Sequence, residues 1–155
     1  MLKIPLNEHF DEKLFLVDMK SRKKEDVLAE LVDLFVQEKY IRNREILLEM
    51  LHQREKLGST GIGKGVAIPH GRTIAVSKLV IAFGRSSRPI DFNAIDHKPV
   101  SLFFMVIAPP NDDGNVYLPL LGSLVTLLNV SKNRDKLMKI QTYKEFLSVM
   151  SGDKE

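Results

Sequence analysis

The sequence predicts an α/β domain on three observations. Apolar residues recur at three- and four-residue spacing in stretches on both sides of a central region, the period that lines one face of a helix. Short β-favouring runs alternate with them, and one, Val100 to Ala108, is apolar enough to suit a strand buried on both faces. The chain has 155 residues, a length at which a single core buries roughly 70% of the unfolded surface without help from a metal or a disulfide. Residues 1–155 are therefore expected to form one domain, with no internal repeat, low-complexity segment or linker.

The elements follow in order. His9 lies in a polar N-terminal stretch. Ser21 is placed to cap a first helix whose Val27, Leu28, Leu31, Val32 and Phe35 share a face, which should be core. Asn43 can cap a second, with Ile46, Leu47, Met50 and Leu51 on one stripe and Glu45 and Glu49 turned outward. From Gly58 to Gly65 four of eight residues are glycine; each would cost a helix interior about 1 kcal/mol relative to Ala, so the segment reads as a loop with special backbone angles. Val66-Ala67-Ile68 leaves it as a short extended piece, and Pro69 stops helix continuation, placing His70 at a strand end or turn. Strands are expected at Leu79 to Arg85 and Val100 to Ala108, with turn-rich Asp91 to Asp96 between them. After a loop at Asn111 to Gly114 comes a helix carrying Leu118, Leu121, Leu124, Val125 and Leu128. Thr142 and Glu145 then form the capping-box pattern of a terminal helix through Phe146, Leu147 and Met150.

Composition excludes several classes of function. There is no cysteine, which removes disulfides, thiolate nucleophiles and cysteine-ligated metals. Lys and Arg number 23 against 20 Asp and Glu, a net charge of +3, too small and dispersed to indicate nucleic acid. The densest basic run, Lys20, Arg22, Lys23 and Lys24, is flanked by Asp18, Glu25 and Asp26 and reads as a solvated helix start. The longest apolar run, Leu102 to Ala108, is far below the ~20 residues that span a bilayer, so no membrane insertion is expected. The opening residues lack the apolar segment of an export signal, and the expected location is cytoplasmic.

Among chemistry-bearing patterns, Gly58 to Gly65 matches seven positions of the nucleotide-binding pattern GxxxxGK[ST]. The eighth position, Gly65, lacks the hydroxyl that magnesium requires, and a β-favouring run follows where a helix should. The loop amides remain able to face an anion. His9, His52, His70 and His97 show no metal-ligand spacing. His70 stands apart, held by Pro69 and released by Gly71 after the Gly-rich loop, and a neutral imidazole is an available nucleophile near neutral pH. Arg54, Lys64 and Arg72 could supply positive charge to a phosphoryl group arriving there. Ser59 is not in a GxSxG elbow, and no pair of carboxylates suggests a glycosidase.

The stretch from Arg54 through Gly71, Arg-Glu-Lys-Leu-Gly-Ser-Thr-Gly-Ile-Gly-Lys-Gly-Val-Ala-Ile-Pro-His-Gly, resembles the active-site signature of the enzyme IIA components of the phosphoenolpyruvate-dependent phosphotransferase system. The class is that of fructose and mannitol, which includes the nitrogen-regulatory IIA proteins. Pro89 to Asp96 with the apolar strand after it, and the two opening helices, extend the resemblance over nearly the whole chain. It implies a mixed β-sheet flanked by helices on both faces, and it implies His70 as the phosphoryl acceptor through Nε2. By the same resemblance Arg54 supports the phosphohistidine, Ser59 and Thr60 are the small polar pair beside it, and no metal or nucleotide cofactor is needed. Implied partners are HPr or a nitrogen-branch counterpart as donor, and a IIB domain as acceptor in transport systems.

One position departs from the family. Where members commonly carry a second histidine in a His-Leu-x-x-Leu pattern, this chain has Tyr117-Leu118-Pro119-Leu120-Leu121. Tyr117 can hydrogen-bond a phosphate or orient His70 but offers no imidazole, and Pro119 is tolerated in a first helical turn. The leading expectation is a phosphocarrier; the alternative is a regulatory module whose phosphorylation at His70 controls partner proteins with little onward transfer. The replaced histidine and the free-standing chain favour the alternative, and a degenerate domain without phosphotransfer ranks last.

Overall fold

The structure is a computed structural model that describes residues 5–111 and 115–152. After a short 3-10 turn (Leu6–His9) the order is β1 (Phe10–Leu16), α1 (Lys24–Gln37), α2 (Arg44–Lys56), β2 (Gly61–Gly63), β3 (Val66–Ala67) and β4 (His70–Arg72). Then follow β5 (Val80–Ile90), β6 (Val100–Ala108), α3 (Tyr117–Leu128), α4 (Ser131–Leu137) and α5 (Tyr143–Met150). The expected loop at Asn111 to Gly114 falls largely outside the described residues.

The strands form one mixed sheet in the order β1-β5-β6-β3-β2, with β4 also paired to β6. Strand β6 is apolar throughout because both its faces are covered. Phe103, Met105 and Ile107 point into a core with Leu28, Leu31, Phe35, Leu47 and Leu51 of α1 and α2. Leu102, Phe104, Val106 and Ala108 point the other way, toward Leu120, Leu124, Leu137 and Phe146 of α3, α4 and α5. The alternation along one strand thus places helices on both faces, as expected.

Several elements differ from the sequence reading. Strand β1 falls in the stretch read as polar, because Asp11, Glu12 and Lys13 interrupt the apolar pattern. Its parallel register with β5 shifts between Phe10 and Phe15, so those charges occupy an irregular edge. Helix α4 has one buried residue, Leu137, and therefore no stripe to read. It is held by buried Arg85, whose Nη1 donates to the carbonyls of Leu137 at 2.9 Å and Ile140 at 2.6 Å. Ser21 does not cap α1, which begins after Lys23 with no side-chain cap. Instead the Glu30 carboxylate reaches back to the amides of Lys20 and Ser21 and to the Ser21 hydroxyl. Asn43 does cap α2, accepting from the Ile46 amide at 3.1 Å, and the capping box of Thr142 and Glu145 opens α5. Ile46, expected on the stripe of α2, and Leu118, among the apolar residues expected on α3, are 47% and 66% exposed, while Tyr117 and Leu120 are buried on α3. Strand β5 runs beyond Arg85 to Ile90.

The glycine segment is less a loop than a tight hairpin. Strands β2 and β3 pair antiparallel around Lys64 and Gly65, both at positive φ (59° and 80°), as a two-residue hairpin of this hand requires. Gly61 lies against Ala94, where an added Cβ would come within 2.8 Å of the Ala94 Cα. Because part of that obstacle is backbone, Gly61→Ala should lower unfolding free energy by roughly 1–3 kcal/mol, measured by urea denaturation.

Candidate active site

Strands β3 and β4 lie one after the other along the same edge of β6, with Val66 and Ala67 opposite Leu102 and Phe103, and His70 opposite Val106. At the junction the Pro69 carbonyl accepts from the Val106 amide at 2.9 Å. His70 is fixed within this short course. Its Nδ1 lies 2.6 Å from the Ile68 carbonyl oxygen; a carbonyl only accepts, so Nδ1 carries the proton and Nε2 is left as the basic ring nitrogen. Burial lowers the His70 pKa below its ordinary value, and the nearby Arg54 charge lowers it further, while the Ile68 bond and Glu55 oppose the shift. The imidazole is thus kept neutral, the form that can attack.

His70 lines a depression of about 450 Å³ together with Met50, Gln53, Arg54 and Leu57 from the end of α2, Gly71 and Arg72 from β4, and Tyr117, Leu118 and Leu121 from α3. The His70 and Tyr117 ring centres are 6.3 Å apart. The Arg72 guanidinium carbon lies 4.7 Å from the centre of the Tyr117 ring. Arg54 in the last turn of α2 donates through Nη1 to the Gly58 carbonyl at 2.8 Å, which ties it to the glycine segment.

Ser59, Thr60 and Lys64 do not line the depression. The Ser59 hydroxyl donates to the Phe92 carbonyl at 2.7 Å and accepts from the Gly61 amide at 3.0 Å. Thr60 is buried, with its amide and hydroxyl both on the Glu55 carboxylate. The Lys64 amide is taken by Asp96, which pins the hairpin turn. Sequence reasoning quoted Glu55 without giving it a task. It also took Lys24 as part of a solvated run, whereas Lys24 Nζ meets Glu55 at 2.9 Å with the two side chains 15% and 6% exposed. Lys24 also sits over the Phe92 ring at 4.7 Å. The adjacency of Glu55 to Arg54 was the only local signal; the partner lies 31 positions earlier by residue number. Among the described residues no group of three or more His, Asp or Glu side chains is gathered as metal ligands would be, and no helix is long and apolar enough to cross a membrane.

Residues 8–152 match the family model described as "Phosphoenolpyruvate-dependent sugar phosphotransferase system, EIIA 2". The chain belongs to that family. Among EIIA 2 relatives it is 37% identical over 128 residues to the PTS system fructose-specific EIIA component of Haloferax volcanii, an alignment covering 83% of this chain and 82% of the relative. It superposes on the nitrogen regulatory protein IIA-Ntr of Neisseria meningitidis with a TM-score of 0.86 and 34% identity, covering 94% of this chain and 98% of that one. The fold is also that of Escherichia coli enzyme IIAMTL, seen in complex with phosphorylated enzyme IIBMTL, at a TM-score of 0.76, 21% identity and coverage of 92% and 99%. Membership of the EIIA 2 family implies phosphotransfer in general terms.

Two measurements check the electrostatics of this EIIA 2 site. Glu55→Ala removes one partner of a buried ion pair and should cost about 3 kcal/mol or more of stability in a denaturant titration. In an NMR titration His70 should titrate below the ordinary 6.5, and Arg54→Gln should move it upward. Because the folded value is depressed, the unfolded chain binds this proton more readily. His70 therefore withdraws stability as pH falls through 6.5 toward the folded value, and has no such effect well above it.

Proposed function

We propose that His70 accepts a phosphoryl group on Nε2 from the phosphohistidine of an HPr-type carrier and yields it to a IIB acceptor. The observation that carries this reading is the bond from His70 Nδ1 to the Ile68 carbonyl, which leaves Nε2 with its lone pair beside Arg54. The Nε2 lone pair attacks phosphorus, the phosphorus–nitrogen bond of the donor breaks, and its electron pair returns to the donor imidazole. The positive charge that develops on the His70 ring is met by the Ile68 carbonyl, which already accepts from Nδ1. Arg54 attracts the phosphoryl oxygens, and Ser59 and Thr60 support the site by fixing the segment between Arg54 and the hairpin. Chemistry of this kind needs positioning and charge more than a deep pocket, and an open depression suits a donor that arrives on another protein.

A second reading has its own support in the likeness to a nitrogen regulatory protein. Phosphorylation of His70 would place about two negative charges among exposed Leu57 and Leu118, enough to make or break a contact with a regulated protein. Incubation with phosphoenolpyruvate, enzyme I and HPr should add one phosphoryl group to the wild type and none to His70→Ala, as read by intact mass. Unlabelled wild type, or equally labelled His70→Ala, would refute phosphorylation at this residue. Rapid passage to a IIB protein favours the carrier, whereas partners that separate His70→Asp from His70→Ala in pull-downs favour the regulator.

A further inference from the structure

We propose that Arg72 is a second phosphoryl-binding cation at His70, and that the Tyr117 ring is the platform that holds it there. This inference rests on the reading of His70 as phosphoryl acceptor. His70 and Arg72 are separated by one residue of β4, so their side chains leave the same face of the strand. Both line the depression that Tyr117 closes. The guanidinium sits 4.7 Å from the Tyr117 ring centre, within the range of a cation on an aromatic face, and the imidazole lies 6.3 Å from the same ring.

Tyr117 is itself fixed, 6% exposed at the start of α3 in the core that includes Val106, the residue paired with His70. A buried ring attached to the same strand register is a rigid support for an otherwise exposed, flexible arginine. Stacking removes much of the rotamer freedom Arg72 would lose on binding a phosphoryl group. Burial raises the Tyr117 phenol pKa above its ordinary value, and the charges of Arg72 and Arg54 both act on the phenol in the opposite direction. Two arginines, one from the end of α2 and one from β4, thus line the same depression as His70. A planar guanidinium suits phosphoryl oxygens and stays charged across the physiological range. Tyr117 then serves by its ring, as a positioning residue.

The experiment uses the whole chain phosphorylated by phosphoenolpyruvate, enzyme I and HPr. The rate of labelling is followed by mass, and the isolated phosphoprotein is titrated by 31P NMR. Arg72→Ala should slow phosphorylation about tenfold or more, the loss expected for one charge-assisted contact. It should also raise the second phosphoryl pKa by about half a pH unit or more, because a neighbouring cation favours the dianion. Tyr117→Leu should show both effects, the double variant should be little worse than either, and Tyr117→Phe, which keeps the ring, should recover most of the loss. Wild-type behaviour of Arg72→Ala overturns the proposal. So does slowed transfer with an unmoved phosphoryl pKa, which makes Arg72 a docking residue, or a Tyr117→Phe as impaired as Tyr117→Leu. Failure of the wild type to label on His70 would instead refute the reading beneath it.

Discussion

Strand β6 sets the position of the groups that surround His70. It is covered by helices on both faces, and its two edges are occupied by β5 on one side and by β3 and β4 in succession on the other. A strand so enclosed has little freedom to slip, since a one-residue shift would exchange Phe103, Met105 and Ile107 with Phe104, Val106 and Ala108 between two different cores. The chain that follows β3 must therefore resume pairing at a fixed place. Pro69 spans the break while its carbonyl still accepts from the Val106 amide, and His70 emerges opposite Val106 with its ring tied to the chain two residues back.

The surroundings of that ring are an arrangement of opposed charges. Arg54 and Glu55 are neighbours in sequence, yet one disfavours and the other favours the imidazolium. Glu55 does not dominate because its carboxylate is already engaged by Lys24 and by the amide and hydroxyl of Thr60. Burial and Arg54 then prevail and hold the imidazole neutral. The same carboxylate fixes the start of the glycine segment, while Ser59 ties that segment to Phe92 and Asp96 ties its turn. The hairpin is braced at three places by side chains outside the depression, which leaves the depression to His70, the arginines and an apolar rim.

Much of this was legible locally. The stripe of α1, the Asn43 cap, the Thr142 and Glu145 capping box and the doubly buried β6 each depend on residues within a few positions of one another, and each was found. Strand β1 was not, because three consecutive charges occupy its irregular edge. Helix α4 was not, because a helix with one buried residue carries no period and is held by Arg85 from another element. Ser21 misled because the helix begins only after Lys23, two residues beyond it, and the Ser21 amide and hydroxyl donate instead to the Glu30 carboxylate.

By itself the sequence determined the α/β class, the special backbone of residues 58–65, and the segment from Arg54 to Gly71 that marks the family. These are properties of short stretches, where steric and conformational preferences act between near neighbours. Only the tertiary structure decided that Lys24 neutralises Glu55, that Ser59 and Thr60 brace the hairpin from outside the depression, and that Arg72 lies on the Tyr117 ring. Tyr117 reaches Arg72 because α3 packs on the face of the sheet that carries His70. That proximity follows from how β6 pairs and packs, and no local pattern encodes it.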